Sequence, residues 1–319
     1  MSASGGTRAI VAALLANLGI ALTKFVAWGF SGSSSMLAEG VHSVADSVNQ
    51  LMLLRGGRRA RRKATAAHPF GYGRERFIYA FVVSIILFTV GGVFSVYEGI
   101  DKLTHPHALE VWWLPMLVLS VAIVLESLSL RTAMKEANPL RRGASWVAFV
   151  RRAKAPELPV VLLEDVAALI GLVFAFIGVG LTVITGDALW DAVGTILIGA
   201  LLVAVAIVLG IETKSLLIGE GASPEVLAHI KQAILDGREA ERILHIKTLY
   251  LGPEEILVAT KLAFAPGLPF STVAKNIDTI EKRIRQSVPD ARMIYIEPDV
   301  DRGDPHSIST DAVVIKGTD

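Results

Sequence analysis

The stretch AEGVHSVADSVNQ, residues 38–50, lies inside an otherwise apolar segment and carries four polar side chains at helical spacing. Glu39, His42, Asp46 and Asn49 follow one another at intervals of three, four and three residues. On an α-helix this spacing places all four side chains on one face. An ionisable side chain at the centre of a bilayer costs about 2.5–3.5 kcal/mol on insertion scales. The stripe therefore indicates a polar bundle interior or an ion pathway.

The composition is that of a membrane protein. Hydrophobic residues make up 52% of the 319 residues, and the mean hydropathy is +0.54, above the range of ordinary soluble domains. A net charge of +1 gives no general attraction to nucleic acid, so no such partner is expected. The chain contains no cysteine. Any metal must therefore be held by His, Asp, Glu and water.

Six segments are long enough to cross a bilayer, which takes about 20 residues. They are predicted at residues 10–30, 36–54, 77–103, 112–134, 158–184 and 188–211. The N-terminal MSASGGTR has one arginine and no clear cleavage site, so we expect the first segment to be a retained span rather than a signal peptide. The second and fifth segments are the least apolar, and both contain charge.

Lysine and arginine are concentrated in two loops, one between the second and third predicted spans and one between the fourth and fifth. The other loops, SGSSS, THPHALEV and TGD, contain neither residue. Under the positive-inside rule the basic loops are cytoplasmic, and an even number of spans places both termini there as well. We expect a multi-pass protein of a bacterial inner or plasma membrane.

From Pro224 onward the pattern is that of a soluble domain. SPEVLAHIKQAIL has helical spacing, with Ser223 as a candidate N-cap. ILHIKTLYLG and EILVATKLAF alternate like two strands of a hairpin, and a further helix and strand follow. The order αββαβ suits a small sheet with helices on one face. We therefore expect a membrane domain at residues 1–215, a cytosolic α+β domain at 216–301 and a flexible tail at 302–319.

His42 and Asp46, four residues apart on one helical face, make a bidentate platform for a divalent cation. Imidazole and carboxylate together suit zinc and similar metals. Asp165, brought from the fifth span, would add a third ligand, and an open fourth position suits a site that must release its ion. Glu39 and Glu164 are further candidate ligands.

The segments SMLAEGVHSVADSVNQ, HPFGYGRERF, LPVVLLEDVAALIGL and WDAVGTILIGALL, followed by the αββαβ tail, resemble the cation diffusion facilitator family over nearly the whole chain. LLED and the basic loop before it are most similar to the zinc transporter nine branch. The resemblance implies an α-helical membrane protein with six transmembrane helices, a ferredoxin-like cytosolic domain and a homodimer. It also implies proton-coupled efflux of a divalent metal, most often zinc, with Mn²⁺, Co²⁺, Fe²⁺ and Cd²⁺ as alternatives, and neither enzymatic activity nor a prosthetic group.

By position, His42 and Asp46 match the family's ligand pair on the second span, and Asp165 matches the acid on the fifth. The same three groups would carry protons when the metal leaves. The family often has another ligand four residues before that acid, but here the position is Val161, which cannot bind metal. Glu164 is close by, although it lies about 100° around the helix from Asp165. The sequence therefore leaves the coordination number open.

Two accessory metal sites of the family are incomplete. His68 matches one ligand in the loop before the third span, and His245 and Glu297 match ligands in the tail domain. Residues that are poor metal ligands occupy the remaining positions: Thr65, Tyr72, Thr260 and Tyr295. We expect ordinary surface residues or weak metal binding at both places.

The sequence has three rival interpretations, of which two remain open and the third lacks its motif. A divalent-cation channel would show flux that does not depend on a proton gradient. A metal-sensing membrane scaffold that uses only the tail domain would show no flux after reconstitution. An intramembrane metallohydrolase would need a motif such as HExxH, which is absent.

Overall fold

The computed structural model describes residues 3–106, 111, 113–141 and 143–303, with the side chains of residues 3–13, 15 and 16 excepted. It divides into two compact units, one formed by residues up to Ile218 and the other by residues from Gly219 on. The predicted tail at 302–319 lies outside the described residues from position 304 onward.

The first unit is helical, and its helices correspond to the predicted spans. They are α1 (Ala3–Ser31), α2 (Ser34–Ala60), α3 (Glu75–Ile86), a π-helical segment (Leu87–Val93), α4 (Phe94–Thr104), α5 (Trp113–Arg141), α6 (Trp146–Arg152), α7 (Glu157–Thr185) and α8 (Leu189–Ile218). Helix α1 packs along α2, α7 packs along both α5 and α8, and α8 also contacts α3 and α4. The core between them is an apolar cluster that includes Leu87, Leu172, Ile198 and Leu202.

Within the described part of the chain, four helical segments are long and apolar enough to cross a membrane. They are Glu75–Thr104, Trp113–Arg141, Glu157–Thr185 and Leu189–Ile218. Helix α2 is not among them, because the polar stripe and the arginines at its C-terminal end lower its hydropathy. Helix α1 is not among them either, and part of its side chains lies outside the description. The structure is therefore that of a helical multi-pass membrane protein, while crossing by α1 and α2 stays a prediction.

Two features of this unit were not predicted. The third span contains the seven-residue π-helical segment, which lies against α2. π-helical turns are rare, and where they occur they are often at functional sites. The basic loop before the fifth span contains the short helix α6, whose start is capped by the Ser145 hydroxyl accepting the Ala148 N–H.

Glycines bring α8 close to the third span. A Cβ atom on Gly92 would lie 2.6 Å from Cγ2 of Val203, and one on Gly199 would lie 2.7 Å from the backbone nitrogen of Val96. These distances are shorter than a carbon contact allows, so only glycine fits at both positions. Close packing at small residues is the usual basis of helix association in membranes.

The second unit contains α9 (Pro224–Leu235), β1 (Arg242–Gly252), β2 (Glu255–Ala263), α10 (Phe270–Ser287) and β3 (Met293–Asp299), in the predicted order αββαβ. The sheet order is β1-β2-β3, with β1 and β2 antiparallel and β2 and β3 parallel. One face of β2 is buried against apolar residues of both helices, and the other face is partly exposed.

Candidate metal centre

The polar stripe of α2 is turned into the helix bundle. Glu39, His42 and Asn49 are at most 1% exposed and Asp46 is 8% exposed. The opposite side of the helix carries exposed apolar residues such as Leu51. The usual arrangement of a soluble amphipathic helix is thus reversed, as expected where the surroundings are lipid. The spacing-based prediction that the four residues share one interior face agrees with this geometry.

His42 and Asp46 form the centre of this stripe. Nε2 of His42 lies 3.5 Å from Oδ2 of Asp46. Both ring nitrogens of His42 and Oδ1 of Asp46 are buried and have no hydrogen-bond partner among the described residues. Buried polar atoms are normally paired because the loss of hydration is costly. An imidazole and a carboxylate with uncommitted donor atoms are a suitable ligand pair for a divalent cation.

Asp165 does not join this pair in the structure. It is half-buried on α7, and its Oδ2 accepts a hydrogen bond of 3.1 Å from the Ser129 hydroxyl on α5. The described residues contain no group of three or more His, Asp or Glu side chains close enough to hold a metal ion together. The structure therefore brings two of the three predicted principal ligands together and holds the third on a different helix.

Of the adjacent acids Glu164 and Asp165 on α7, Glu164 is the one that contacts α2. It is 5% exposed, and its Oε1 accepts a 2.7 Å hydrogen bond from Nδ2 of Asn49. Consecutive residues on a helix point about 100° apart, so Glu164 and Asp165 cannot both face α2.

Glu39 is held by a cation that the sequence reasoning missed. Nζ of Lys24, on α1, lies 2.9 Å from Oε2 of Glu39 and 2.8 Å from the Ser43 hydroxyl. Lys24 is 1% exposed. The signal was present in the sequence, because Lys24 is the one charged residue in the first predicted span and an intramembrane charge usually has a partner. Glu39 therefore has only Oε1 left without a partner among the described residues.

A further carboxylate, Glu126 of α5, completes the surroundings of the stripe. It is 9% exposed and close enough to Asp46 and Asp165 for their charges to interact. The interior therefore collects acidic groups from α2, α5 and α7, with Lys24 as a buried counter-charge. A dication would find favourable electrostatic surroundings here.

The start of α2 is anchored by Asp191 of α8. Its carboxylate accepts hydrogen bonds from the Ser33 hydroxyl and from the backbone and hydroxyl of Ser34, at 3.0 to 3.2 Å. A carboxylate at a helix N-terminus satisfies N–H groups that have no partner within the helix. Asp191, which the sequence placed near the start of the sixth span, thus acts as the cap of a different helix.

The accessory candidates are on other elements, His68 in the loop before α3 and His245 and Glu297 on strands of the second unit. His68 is exposed, and its ring stacks on Tyr72 at 4.6 Å between centroids. In the tail domain, His245, Lys261 and Glu297 occupy paired positions on three adjacent strands. His245 and Glu297 border a cavity of about 250 Å³, which is also lined by Ala259, Thr260, Tyr295 and Ile296.

Lys261 separates the two tail-domain candidates. Its ammonium is 2.9 Å from Glu297 and 3.2 Å from Asp299. Hydrogen bonds to these carboxylates raise the pKa of Lys261. The backbone N–H of Val300, followed by Lys261, lowers the pKa of Asp299. Because neighbouring strands are about 4.8 Å apart, His245 and Glu297 are roughly 10 Å apart at the backbone with a cation between them.

The architecture and the buried His42–Asp46 pair define a class: a multi-pass helical membrane protein with a polar, metal-compatible interior. Residues 10–218 match the family model of the cation efflux transmembrane domain, and the chain belongs to the cation efflux family. This confirms the resemblance on which the sequence interpretation rests, and it places the chain among transporters rather than enzymes.

The chain is 31% identical to the proton-coupled zinc antiporter SLC30A9, mitochondrial, of Xenopus laevis over 268 residues, which cover 82% of this chain and 48% of that protein. It is 28% identical to metal tolerance protein C4 of Arabidopsis thaliana over 81% of this chain and 57% of that protein. It is 24% identical to the magnetosome protein MamB of Magnetospira over 89% of this chain and 92% of that protein. The chain spans about half the length of the SLC30A9 relatives. These likenesses confirm the predicted proximity to the zinc transporter nine branch.

Proposed function

We propose that the chain exports divalent metal, principally zinc, across a membrane in exchange for protons. The observation that carries this proposal is the buried His42–Asp46 pair, whose ligand atoms have no partner among the described residues. Relatives named as a proton-coupled zinc antiporter and as a metal tolerance protein support the same reading.

We propose that Asp165 joins His42 and Asp46 in a second conformation of the transporter. In the structure Ser129 of α5 holds Asp165, so a rotation or shift of α7 against α5 would be needed to bring its carboxylate to the metal. A carrier must assemble and dismantle its metal site in each transport cycle. In this proposal the structure is a conformation in which the ligand set is incomplete. Glu39 and Glu164 would serve as ligands only after giving up Lys24 and Asn49 respectively.

Protons compete with the metal for the same groups. Metal binding requires a neutral coordinating nitrogen on His42 and ionised carboxylates, so binding one dication releases protons. When the metal leaves, the carboxylates are again unscreened, and protonation relieves their mutual repulsion. We infer that the cluster carries protons back as a unit, since the proton of a coupled group cannot be assigned to one residue.

The wider architecture follows the same proposal. The chain would have six transmembrane helices, both termini on the cytoplasmic side of a bacterial plasma membrane, and a ferredoxin-like cytosolic domain that takes part in a homodimer. The order αββαβ of the second unit and the four apolar helical segments support this arrangement.

The test is zinc flux in proteoliposomes. Asp46→Ala and Asp165→Ala should each reduce flux to the background of empty vesicles while the protein stays folded, because each removes a ligand. Val161→Ala is the matched control on α7. It should retain flux, since valine offers no ligand. Wild-type flux in either aspartate variant would contradict the assignment of these residues.

A further inference from the structure

Asn49 and Glu164 form a second buried polar contact, one helical turn from the His42–Asp46 pair. Asn49 follows Asp46 by three residues on the same face of α2. Its Nδ2 donates a 2.7 Å hydrogen bond to Oε1 of Glu164, and the two side chains are 0% and 5% exposed. The contact therefore joins α2 to α7 out of reach of bulk water.

Some of the polar atoms around the Asn49–Glu164 contact have no hydrogen-bond partner among the described residues. Oδ1 of Asn49 and Oδ1 of Asp46 are both buried without a partner among the described residues. Glu164 is close enough to Asp46 for the two charges to interact. If the contact served only to hold the two helices together, the carbonyl oxygen of Asn49 would be expected to have a hydrogen-bond partner as well. A buried polar atom without a partner is costly.

We propose that Asp46, Asn49 and Glu164 form a second cation position, built from oxygen ligands alone. This inference rests on the proposed function, because Asp46 is shared with the His42 site. A carboxylate, an amide oxygen and a second carboxylate are the donors that hard dications such as Mn²⁺ and Mg²⁺ prefer, whereas imidazole favours zinc. A cation could move between the two positions while it remains bound to Asp46.

The sharing of Asp46 has a consequence for metal preference. The position with His42 would select borderline metals, and the oxygen position would accept harder ones, so the two positions in series would discriminate between metals by their different donor sets. Filling both positions together would require the Asp46 carboxylate to bridge two dications, which repel each other at that distance. A second metal ion is therefore expected to bind more weakly than the first.

The experiment is equilibrium Mn²⁺ binding to the purified full-length chain in detergent, followed by electron paramagnetic resonance, with zinc binding measured alongside. Glu164→Gln keeps an acceptor for the Asn49 amide but removes the charge. It should weaken Mn²⁺ binding at least about tenfold and change zinc affinity less than about threefold. His42→Ala should do the reverse. Ser47→Ala is the matched control, because Ser47 follows Asp46 on α2 and its hydroxyl already donates to the Ser43 carbonyl at 2.9 Å; it should change neither affinity.

Asn49→Asp is a second test variant, and its expected effect is tighter Mn²⁺ binding, which misfolding cannot produce. A third carboxylate should tighten Mn²⁺ binding, with the largest gain for the hardest cation. The proposal of a second cation position would be overturned if Glu164→Gln and Asn49→Asp both bind Mn²⁺ within twofold of the wild type. That conclusion would hold even if zinc flux through His42 and Asp46 is normal. Conversely, absent zinc flux in the wild type would defeat the proposed function, while the effect of Glu164→Gln on Mn²⁺ would still stand.

Discussion

At the scale of single residues, Lys24 provides a buried positive charge among the acidic side chains of the helix bundle. Its ammonium lies between Glu39 and Ser43 in a site that excludes water. It offsets one of the acidic charges that line the bundle. The interior that a dication enters is therefore less negative than the acidic residues of α2, α5 and α7 would make it without Lys24. Removal of one partner from a buried ion pair is strongly destabilising, since the other charge is left buried and unpaired.

Lys24→Met should therefore destabilise the protein by roughly 3–5 kcal/mol, and the double variant Lys24→Met, Glu39→Gln should recover most of that loss. The measurement is thermal unfolding in detergent for the two single variants and the double variant. Arg151→Met is a control at an exposed pair, in which Arg151 lies 3.8 Å from Glu212, and it should change stability by less than about 1 kcal/mol. Equal destabilisation in the single and double variants would contradict the pairing.

The sequence was sufficient to predict the stripe on α2, because spacing determines which residues share a helical face. It was not sufficient to predict that Glu164, rather than Asp165, faces α2 in this conformation. The rotation of α7 about its axis is determined by packing against its neighbouring helices, for example at Gly171, where a Cβ atom would lie 3.8 Å from the Ile198 side chain of α8. Spacing within one helix contains no information about that rotation.

At the scale of elements, α2 is fixed at its start and lined by polar contacts along its length. Asp191 of α8 holds the first turn, and the Asn49–Glu164 bond connects the middle of the helix to α7. The π-helical segment of the third span lies alongside. It brings Gly91 close enough that a Cβ there would be 3.9 Å from Nδ1 of His42. The elements that border the His42–Asp46 pair are therefore the ones whose movement would change its geometry.

The glycine contact between α8 and the third span gives a prediction for one element pair. Gly199→Ala should destabilise the protein by about 1–3 kcal/mol, because the added methyl group would overlap backbone at Val96. Gly180→Ala is the matched control on α7. Its Cβ would meet only Met116 at 3.8 Å, and alanine favours the helix by up to about 1 kcal/mol. Thermal unfolding in detergent should separate the two variants, and equal melting temperatures would show that α8 does not pack there as described.

The tail sheet gives a second prediction at this scale. Because Lys261 lies between His245 and Glu297 and stays protonated at neutral pH, the three cannot form a metal site together. Zinc bound per full-length chain, measured by elemental analysis after dialysis, should be unchanged in the double variant His245→Ala, Glu297→Ala. Loss of one equivalent of zinc in that variant would place a functional metal site in the tail domain.

At the scale of the whole molecule, the order of elements could be predicted from hydropathy and alternation, and the family match confirms the class of transporter. The π-helical segment and α6 could not be predicted, since both depend on local hydrogen bonding rather than on periodicity. The mechanism that we propose requires the whole membrane unit, because the ligands come from α2 and α7 and their surroundings from α1 and α5. A carrier couples the metal to protons, whereas a channel does not.

The most direct measurement is simultaneous recording of zinc uptake and lumenal pH in proteoliposomes that contain the full-length chain. If the protein is an antiporter, zinc entry is accompanied by proton exit, an outward proton gradient accelerates zinc entry, and both fluxes disappear together in Asp46→Ala. Apparent zinc affinity should weaken as the pH falls from about 7.5 to 6, the range in which an unperturbed imidazole gains its proton. Saturable zinc flux with no proton movement, and with an affinity that does not change over this pH range, would contradict the proposed antiport and favour a channel.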